Sequence, residues 1–402
     1  MRKAFKYRCY PTRLQEAVLV ALLETHRRLY NRALAERKDA YEQERRTVRY
    51  GEQSGQLKED RKSNPYLGQT NFSSCQATLR RLDRAFTAFF RRLKAGEKPG
   101  YPRFRGAGRF DSVEFPKYGD GCRLKQGRAE FQHIGPLKLK LHRPIEGTIK
   151  TMTVRREAGK WYVICSCDLG DVQPEPAVGP AVGIDLGCKA FLVTSDGEQV
   201  APPKRYRPAH AHLRRAARRV ARRTKGGKRR RKAVRLLARA HQHVANQRRD
   251  FHHQTARKLV AAHGLIAVEA LQTANLVRRP APILGVDAET GAEVYLPNGA
   301  AAKTGLNKSI SDAGWAAFLA ILTHKAASAG VVMVAVHPAH TTQACSGCGA
   351  VPAVPLTLAD RLHTCACGLR LDRDLNAAKN ILSRALGRSV QAPTWPERAG
   401  VA

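Results

Sequence analysis

The chain has 402 residues, with 71 lysines and arginines against 33 aspartates and glutamates, a formal net charge of +38. That excess goes beyond what solubility requires and points to a polyanionic partner, since each phosphate neutralised by Lys or Arg releases counterion; a protein that merely coats nucleic acid is the blander alternative. No apolar run approaches the roughly 18 residues needed to cross a membrane, and the start lacks the apolar core of a signal peptide, so a membrane or secreted protein is excluded and an intracellular one expected.

Hydrophobic residues make up 43% of the chain, enough to bury a large core divided over two to four domains. Ala4-Phe-Lys-Tyr-Arg-Cys-Tyr10 alternates like a strand and ends at Pro11-Thr12, a turn and helix start. Residues 15–44 carry Leu19, Leu22, Leu23, Leu29, Tyr30 and Leu34 at helical spacings, and residues 72–94 place Leu79, Leu82, Phe86 and Phe89 on one face with arginines opposite. The two form a basic helical lobe. From residue 100 to 169 short alternating runs separated by Gly and Pro predict a small β-barrel or sandwich, which the N-terminal strand could complete. Residues 171–180, rich in Pro and Gly, read as a linker.

Beyond it, residues 181–197 read as a buried strand, a glycine turn and a second strand. A basic helical hairpin over 205–262 follows, folded at Lys225-Gly-Gly-Lys228. Its first arm carries Arg214, Arg215, Arg218, Arg219, Arg222 and Arg223 in pairs four apart; like charges at that spacing repel unless phosphate neutralises them. Residues 264–271 give another strand ending in an acid, and 279–307, containing Pro and Gly, read as an exposed insertion. A helix follows from Ser309, with Ser311 as its N-cap, to about residue 329, and then a buried strand over 331–336.

Three acids sit where strands or helix starts would present them: Asp185, Glu269 and Asp374. They are too far apart for a local motif and can meet only through the fold. A mixed sheet that brings two strand-borne carboxylates beside a third at a helix N-terminus is a ribonuclease-H-like arrangement, suited to Mg²⁺ (or Mn²⁺) and phosphodiester hydrolysis. Asp372 competes for the third position; Asp374 is preferred because one residue inside the helix it would face the site, leaving Asp372 as the N-cap or as a partner behind the site. Cys345-Ser-Gly-Cys348 and Cys365-Ala-Cys367 read as a structural four-cysteine Zn²⁺ ribbon, the second pair one residue shorter than usual, with His363 or His340 as substitute ligands should one position fail. The six remaining cysteines read as buried apolar residues, Cys165 and Cys167 on one strand face.

In order along the chain, Tyr10-Pro11 with the Tyr30-Asn31 helix, Gly100-Tyr-Pro-Arg-Phe-Arg105, Thr153-Val-Arg155, Gly183-Ile-Asp-Leu-Gly187, Val268-Glu-Ala-Leu271, the 309–315 segment, Cys345-Ser-Gly-Cys-Gly349 and Asp372-Arg-Asp-Leu-Asn-Ala-Ala378 are similar to the TnpB (OrfB) proteins of insertion sequences. These are RNA-guided DNA nucleases related to type V CRISPR effectors. The resemblance implies a multidomain α+β chain. A wedge-type β-barrel would comprise 1–14 and 100–170, with a helical recognition lobe at 15–99. After the 171–180 linker, a RuvC-like nuclease domain would span 181–336 and 369–386, interrupted by a zinc ribbon at 337–368, and a flexible tail would occupy 387–402. It also implies Asp185, Glu269 and Asp374 as catalytic acids and a guide RNA that directs cleavage of double-stranded DNA beside a short adjacent motif. Tyr50 and Gln76 would read the motif, with Arg103, Arg105 and the hairpin arginines on nucleic acid. The protein would act as a monomer with its RNA in a prokaryotic cytoplasm, at the nucleoid when bound to DNA. A transposase of the same class and a non-cleaving RNA-guided repressor are the rival readings.

Overall fold

The computed structural model describes residues 2–171, 174–287, 289–357 and 359–387. The tail expected at 387–402 falls outside the described residues from 388 onward. Two compact units divide between residues 172 and 173.

The first unit runs β1 (Arg2–Tyr10), α1 (Arg13–Glu44), α2 (Tyr50–Ser63), α3 (Pro65–Gly68), α4 (Phe72–Lys94), β2 (Ser112–Phe115), β3 (Cys122–Lys125), β4 (Arg128–Phe131), β5 (Gly135–Lys140), β6 (Thr148–Glu157) and β7 (Lys160–Asp168). Its strands form one antiparallel sheet in the order β2-β6-β7-β1-β5-β4-β3. The N-terminal strand joins this sheet, as expected from the sequence, but the sheet does not close into the expected barrel; β1 lies in the middle, paired with β7 from Arg2↔Asp168 to Cys9↔Trp161 and with β5 at Cys9↔Leu139. β2 and β3, at the two ends of the strand order, pair with β6 and β4 and not with each other. The sheet therefore stays open. Alternation along β1 buries Phe5, Tyr7 and Cys9, while Cys165 and Cys167 share the inner face of β7. Burial pushes the Cys165 thiol up to about 12, so it behaves as a small apolar residue.

Thr12 starts α1 with a capping box, accepting from the Gln15 N–H while the Gln15 side chain accepts from its own. The helix buries Leu19, Leu23, Leu29, Tyr30 and Leu34 into the core that also holds the inner face of the sheet. Each such side chain contributes roughly 1.5–3 kcal/mol. Helices and sheet of this unit thus share one core. Helix α2 has no counterpart in the sequence reading, because only Gln53 and Leu57 are buried along it and it lacks an apolar stripe.

The second unit runs β8 (Ala181–Asp185), β9 (Leu192–Thr194), β10 (Gln199–Val200), α5 (Tyr206–Ala221), α6 (Lys228–Ala262), β11 (Leu265–Glu269), α7 (Thr273–Leu276), β12 (Ile283–Val286), β13 (Glu293–Leu296), α8 (Ala300–Ala313), α9 (Trp315–Ser328), β14 (Val332–Val336), β15 (Leu362–Thr364), β16 (Arg370–Asp372) and α10 (Arg373–Ala385). Five strands form a sheet in the order β10-β9-β8-β11-β14, in which β8, β11 and β14 are parallel and β9 is antiparallel. One face buries Ile184, Ile266 and Val268 against Leu259 of α6 and Phe318 and Leu322 of α9; the other buries Ala267 and Val336 against Ile381 of α10.

Two expected segments gain detail here and one expected cap is corrected. Within the stretch 171–180, expected as a linker, two residues bond to this unit: the Ala177 N–H donates to the Gly330 carbonyl (3.0 Å), and the Gly264 N–H donates to the Pro180 carbonyl (3.1 Å). The expected insertion at 279–307 contains the β12–β13 hairpin, its turn held by Asp287 Oδ1 accepting from the N–H groups of Glu289 and Thr290, and then the first half of α8. Ser311 is not an N-cap but lies inside α8. Gly314, at φ +68, breaks the chain, and α9 begins at Trp315. That break leaves Asp312 buried, where it accepts from the Tyr206 N–H (3.0 Å) and from Arg248 (2.9 Å), fastening the base of the α5–α6 hairpin.

Candidate active site

Parallel pairing of β8 with β11 runs through Val268↔Ile184, so Asp185 and Glu269 follow at the same level at the C-terminal ends of neighbouring strands. Helix α10 lies across β8, and Gly183 is what lets it come so near. A Cβ at this position would stand 2.1 Å from the Ala378 carbonyl oxygen and 2.7 Å from the Leu382 nitrogen. The N-terminus of α10 therefore reaches the strand ends, bringing Asp374 into the field of Asp185.

Asp372 is the N-cap, accepting from the N–H groups of Asp374 (2.9 Å) and Leu375 (3.4 Å), so its oxygen is spent on the helix, and Asp374 is the acid of the pair whose charge reaches Asp185. Asp185 is held up to about 8 by burial, then by the charges of Glu269 and Asp374, with Arg373 opposing. Glu269 is also raised by burial, against the pull of the Thr341 hydroxyl, which donates to its Oε1 at 2.5 Å, and of Arg384. Two carboxyls raised by burial beside a third acid, in an all-oxygen donor set, fit a hard divalent cation. Among the described residues the four cysteines are the group close enough to hold a metal ion; Glu269 and Asp374 act on Asp185 by charge without the three acids being drawn together as closely.

The cysteine cluster forms from two turns. Gly349 donates back to the Cys345 carbonyl (2.8 Å) and Gly368, at φ +86, to that of Cys365 (3.0 Å). All four sulfurs lie within 4.8 Å of one another, so the short second knuckle delivers both its cysteines. That soft, tetrahedral-type donor set fits Zn²⁺. Burial pushes the Cys345 thiol up, but the N–H groups of Cys348 and Gly347, with His363 and Cys365, bring it down to about 6 and favour the thiolate. His340 is exposed, and His363 is buried beside Cys345 outside the set of four, so neither substitutes for a cysteine.

Several residues here have no precedent in the sequence reading. Thr341 orients Glu269. Arg373, nearly buried, donates to the Thr357 carbonyl (2.7 Å) with its Nε 3.8 Å from Asp374, linking ribbon to site. Asn376 and Asn380 donate to the Ala344 carbonyl (2.8 and 2.7 Å), and the Ser346 N–H donates to Asn376, strapping α10 to the first knuckle. Two buried asparagines four apart in one helix were the available signal.

The other expected contacts are dispersed. Arg214, Arg215, Arg218, Arg219 and Arg222 are exposed on the α5–α6 hairpin and Arg223 is half-buried; the arms enclose a groove of about 900 Å³ floored by Leu213, Ala216 and Leu236. Tyr50 and Gln76 sit on adjacent helices, with Gln76 donating to Ser54 of α2 (3.0 Å) and the Arg80 guanidinium 5.2 Å from the Tyr50 ring. Arg103 is exposed. Arg105 is pinned to α1 through its backbone, its N–H donating to Asn31 (2.8 Å) and its carbonyl accepting from Arg27 (2.8 Å).

Three family models match parts of the chain: "Probable transposase" over residues 152–279, "Cas12f1-like, TNB domain" over 315–381, and "Helix-turn-helix domain" over 1–46, a stretch that here folds as the single strand β1 and the single helix α1. A Streptomyces pristinaespiralis protein named "Putative RNA-guided DNA endonuclease" is 33% identical over 398 residues, covering 97% of this chain and 90% of its own. "Putative RNA-guided DNA endonuclease InsQ" of Escherichia coli (strain K12) is 29% identical over 394 residues, 97% of this chain and 93% of its own. "TnpB-like protein L79" of Acanthamoeba polyphaga mimivirus is 28% identical over 160 residues, 40% of this chain and 27% of its own. Among solved structures, that of the mini-RNA-guided endonuclease CRISPR-Cas_phi3 overlaps 98% of this chain and 94% of its own at a TM-score of 0.48 and 10% identity, too loosely to add to the sequence relation.

Proposed function

Because the chain belongs to the TnpB (OrfB) family, we propose that it is an RNA-guided, Mg²⁺-dependent DNA endonuclease of a transposable element, with Asp185, Glu269 and Asp374 as its catalytic acids. The convergence of these acids from three distant segments carries the reading. The sheet order, with one antiparallel strand beside the central parallel one and α10 on the opposite face, supports a ribonuclease-H-like (RuvC) nuclease domain interrupted by the ribbon.

Two Mg²⁺ ions held by the acids would supply a hydroxide and stabilise the leaving 3′ oxygen. The chain's own residues do the rest. Thr341 fixes the Glu269 carboxylate, and Arg373 and Arg384 offset part of the site's negative charge. Guide RNA would lie on the basic surfaces, base pairing would select the target, and Tyr50 and Gln76 would read a short motif beside it. Zn²⁺ in the cysteine cluster would be architectural. No helix of the described residues is long and apolar enough to cross a membrane.

Purified protein with its cognate RNA and Mg²⁺ should cut matched, motif-bearing DNA, and Asp374→Ala should abolish cutting while RNA binding persists. Intact DNA with the wild-type complex would overturn the nuclease reading; an Asp374→Ala protein that still cuts would move the role to another acid. The "Probable transposase" match favours one second reading, DNA strand transfer, which joined rather than hydrolysed products would reveal.

A further inference from the structure

The first unit carries an aromatic cluster that its core does not use. At the C-terminal end of α4, Phe86, Phe89 and Phe90 pack together, with Phe86 to Phe90 at 6.3 Å between centroids and Phe89 to Phe90 at 5.1 Å. The helix then stops at a left-handed glycine, Gly96 at φ +66, and the Glu97 N–H donates to the Arg92 carbonyl (2.9 Å), turning the chain back. The returning segment lays Tyr101 edge-on against Phe86 and Phe89, at 5.6 and 5.4 Å.

Phe86 is anchored from behind by core packing and by the Arg37 guanidinium 5.2 Å from its ring; Gln53 and Asp83 hold that guanidinium in turn. The outer rings are left open: Phe90 is 55% exposed and Tyr101 45%. Neither Phe89, Phe90 nor Tyr101 joins the core cluster. An aromatic face rigidly backed yet uncovered is ready to accept another flat ring.

Charge decides which ring. Between residues 83 and 105 the chain has seven lysines and arginines against two acids, and Arg91, Arg92, Lys94 and Arg103 are exposed. An apolar surface set among cations matches a strand whose phosphates lie on the cations while a base meets the rings. We infer that Phe90 and Tyr101 form a stacking platform for an unpaired base of bound nucleic acid, outside the acid site and independent of cleavage. It rests on the chain binding nucleic acid, not on its cutting it.

The test uses the full chain and two 12-nucleotide probes, oligo-U and oligo-dT, each bearing one 5-iodouracil, with an abasic oligonucleotide of equal length as control. Irradiation should give adducts on Phe90 or Tyr101, and whichever probe gives them identifies RNA or DNA as the source of the base. The double variant Phe90→Ala, Tyr101→Ala should bind that probe about tenfold more weakly with an unchanged salt slope. It should bind the abasic control as wild type does, and Phe90→Trp, Tyr101→Trp should restore affinity. Adducts only elsewhere, or equal losses on probe and control, would overturn the platform. So would a change in light-scattering mass in the variant, which would assign the face to a second copy. A catalytically inert protein that still gives these adducts would leave the platform standing while the nuclease reading fell.

Discussion

Asp185 is where folding and chemistry pull in opposite directions. Its carboxyl, ordinarily near 4, is held up to about 8 in the fold, so the folded state binds a proton there that the unfolded chain has released. Stability from this group is complete below about pH 4 and is lost as pH rises through 8. Without divalent cation, Asp185→Asn should therefore melt higher than wild type at pH 8 and differ little at pH 4; added Mg²⁺ should raise the wild-type melting temperature and leave the variant's alone. Thermal melts at the two pH values check both points. His26 works in the other sense. Fully buried, with Nδ1 2.8 Å from the Thr78 hydroxyl, it is pushed by burial down to about 3. The unfolded chain takes up a proton near 6.5 that the folded one refuses, so stability should fall as pH drops from 6.5 toward 3. His26→Gln should flatten that slope in acid melts, even if its stability at neutral pH is lower.

Among the elements, those with a strong local period were legible in the sequence and those set by tertiary contacts were not. The apolar stripes of α1 and α4, the alternation of β1 and β7 and the Asp372 cap are local signals, each contained within one element and its ends. Helix α2 was invisible because it buries only Gln53 and Leu57, and the Ser311 cap failed because Gly314 outweighed it. The site divides the same way. The acids and cysteines announce themselves by type and flanking pattern, whereas Thr341, Arg373 and Arg384 acquire meaning only once β11, the ribbon and α10 are assembled. Gly183 shows what that assembly requires. Gly183→Ala should push α10 off β8, destabilise the protein by a few kcal/mol and cut cleavage about a hundredfold through misplacement of Asp374, with RNA binding retained. Denaturant melts and single-turnover cleavage would measure the two effects separately.

At the scale of the whole chain, a charge of +38 makes salt dependence the most direct probe of binding. Arg214, Arg218 and Arg222 are exposed four residues apart on α5. Replacing all three with Gln should lower the magnitude of the slope of log affinity for guide RNA against log salt by about 2, at roughly 0.7 per lost contact on a single strand. An unchanged slope would remove these arginines from the RNA surface. A different kind of economy governs the C-terminal part of the second unit, where β16 ends at Asp372 and α10 begins at Arg373 with no residue between them. The hairpin that carries Cys365 and Cys367 is thus mechanically continuous with the helix that aims Asp374, like a trigger forged in one piece with its spring. Stripping metal from the thiols should slacken the first turn of α10 while β8, β11 and β14 stay paired. Chelated protein, and Cys348→Ser likewise, should lose cleavage and gain amide exchange at residues 373–376 while the central strands remain protected. The cell's supply of zinc would then set how many of these molecules are armed.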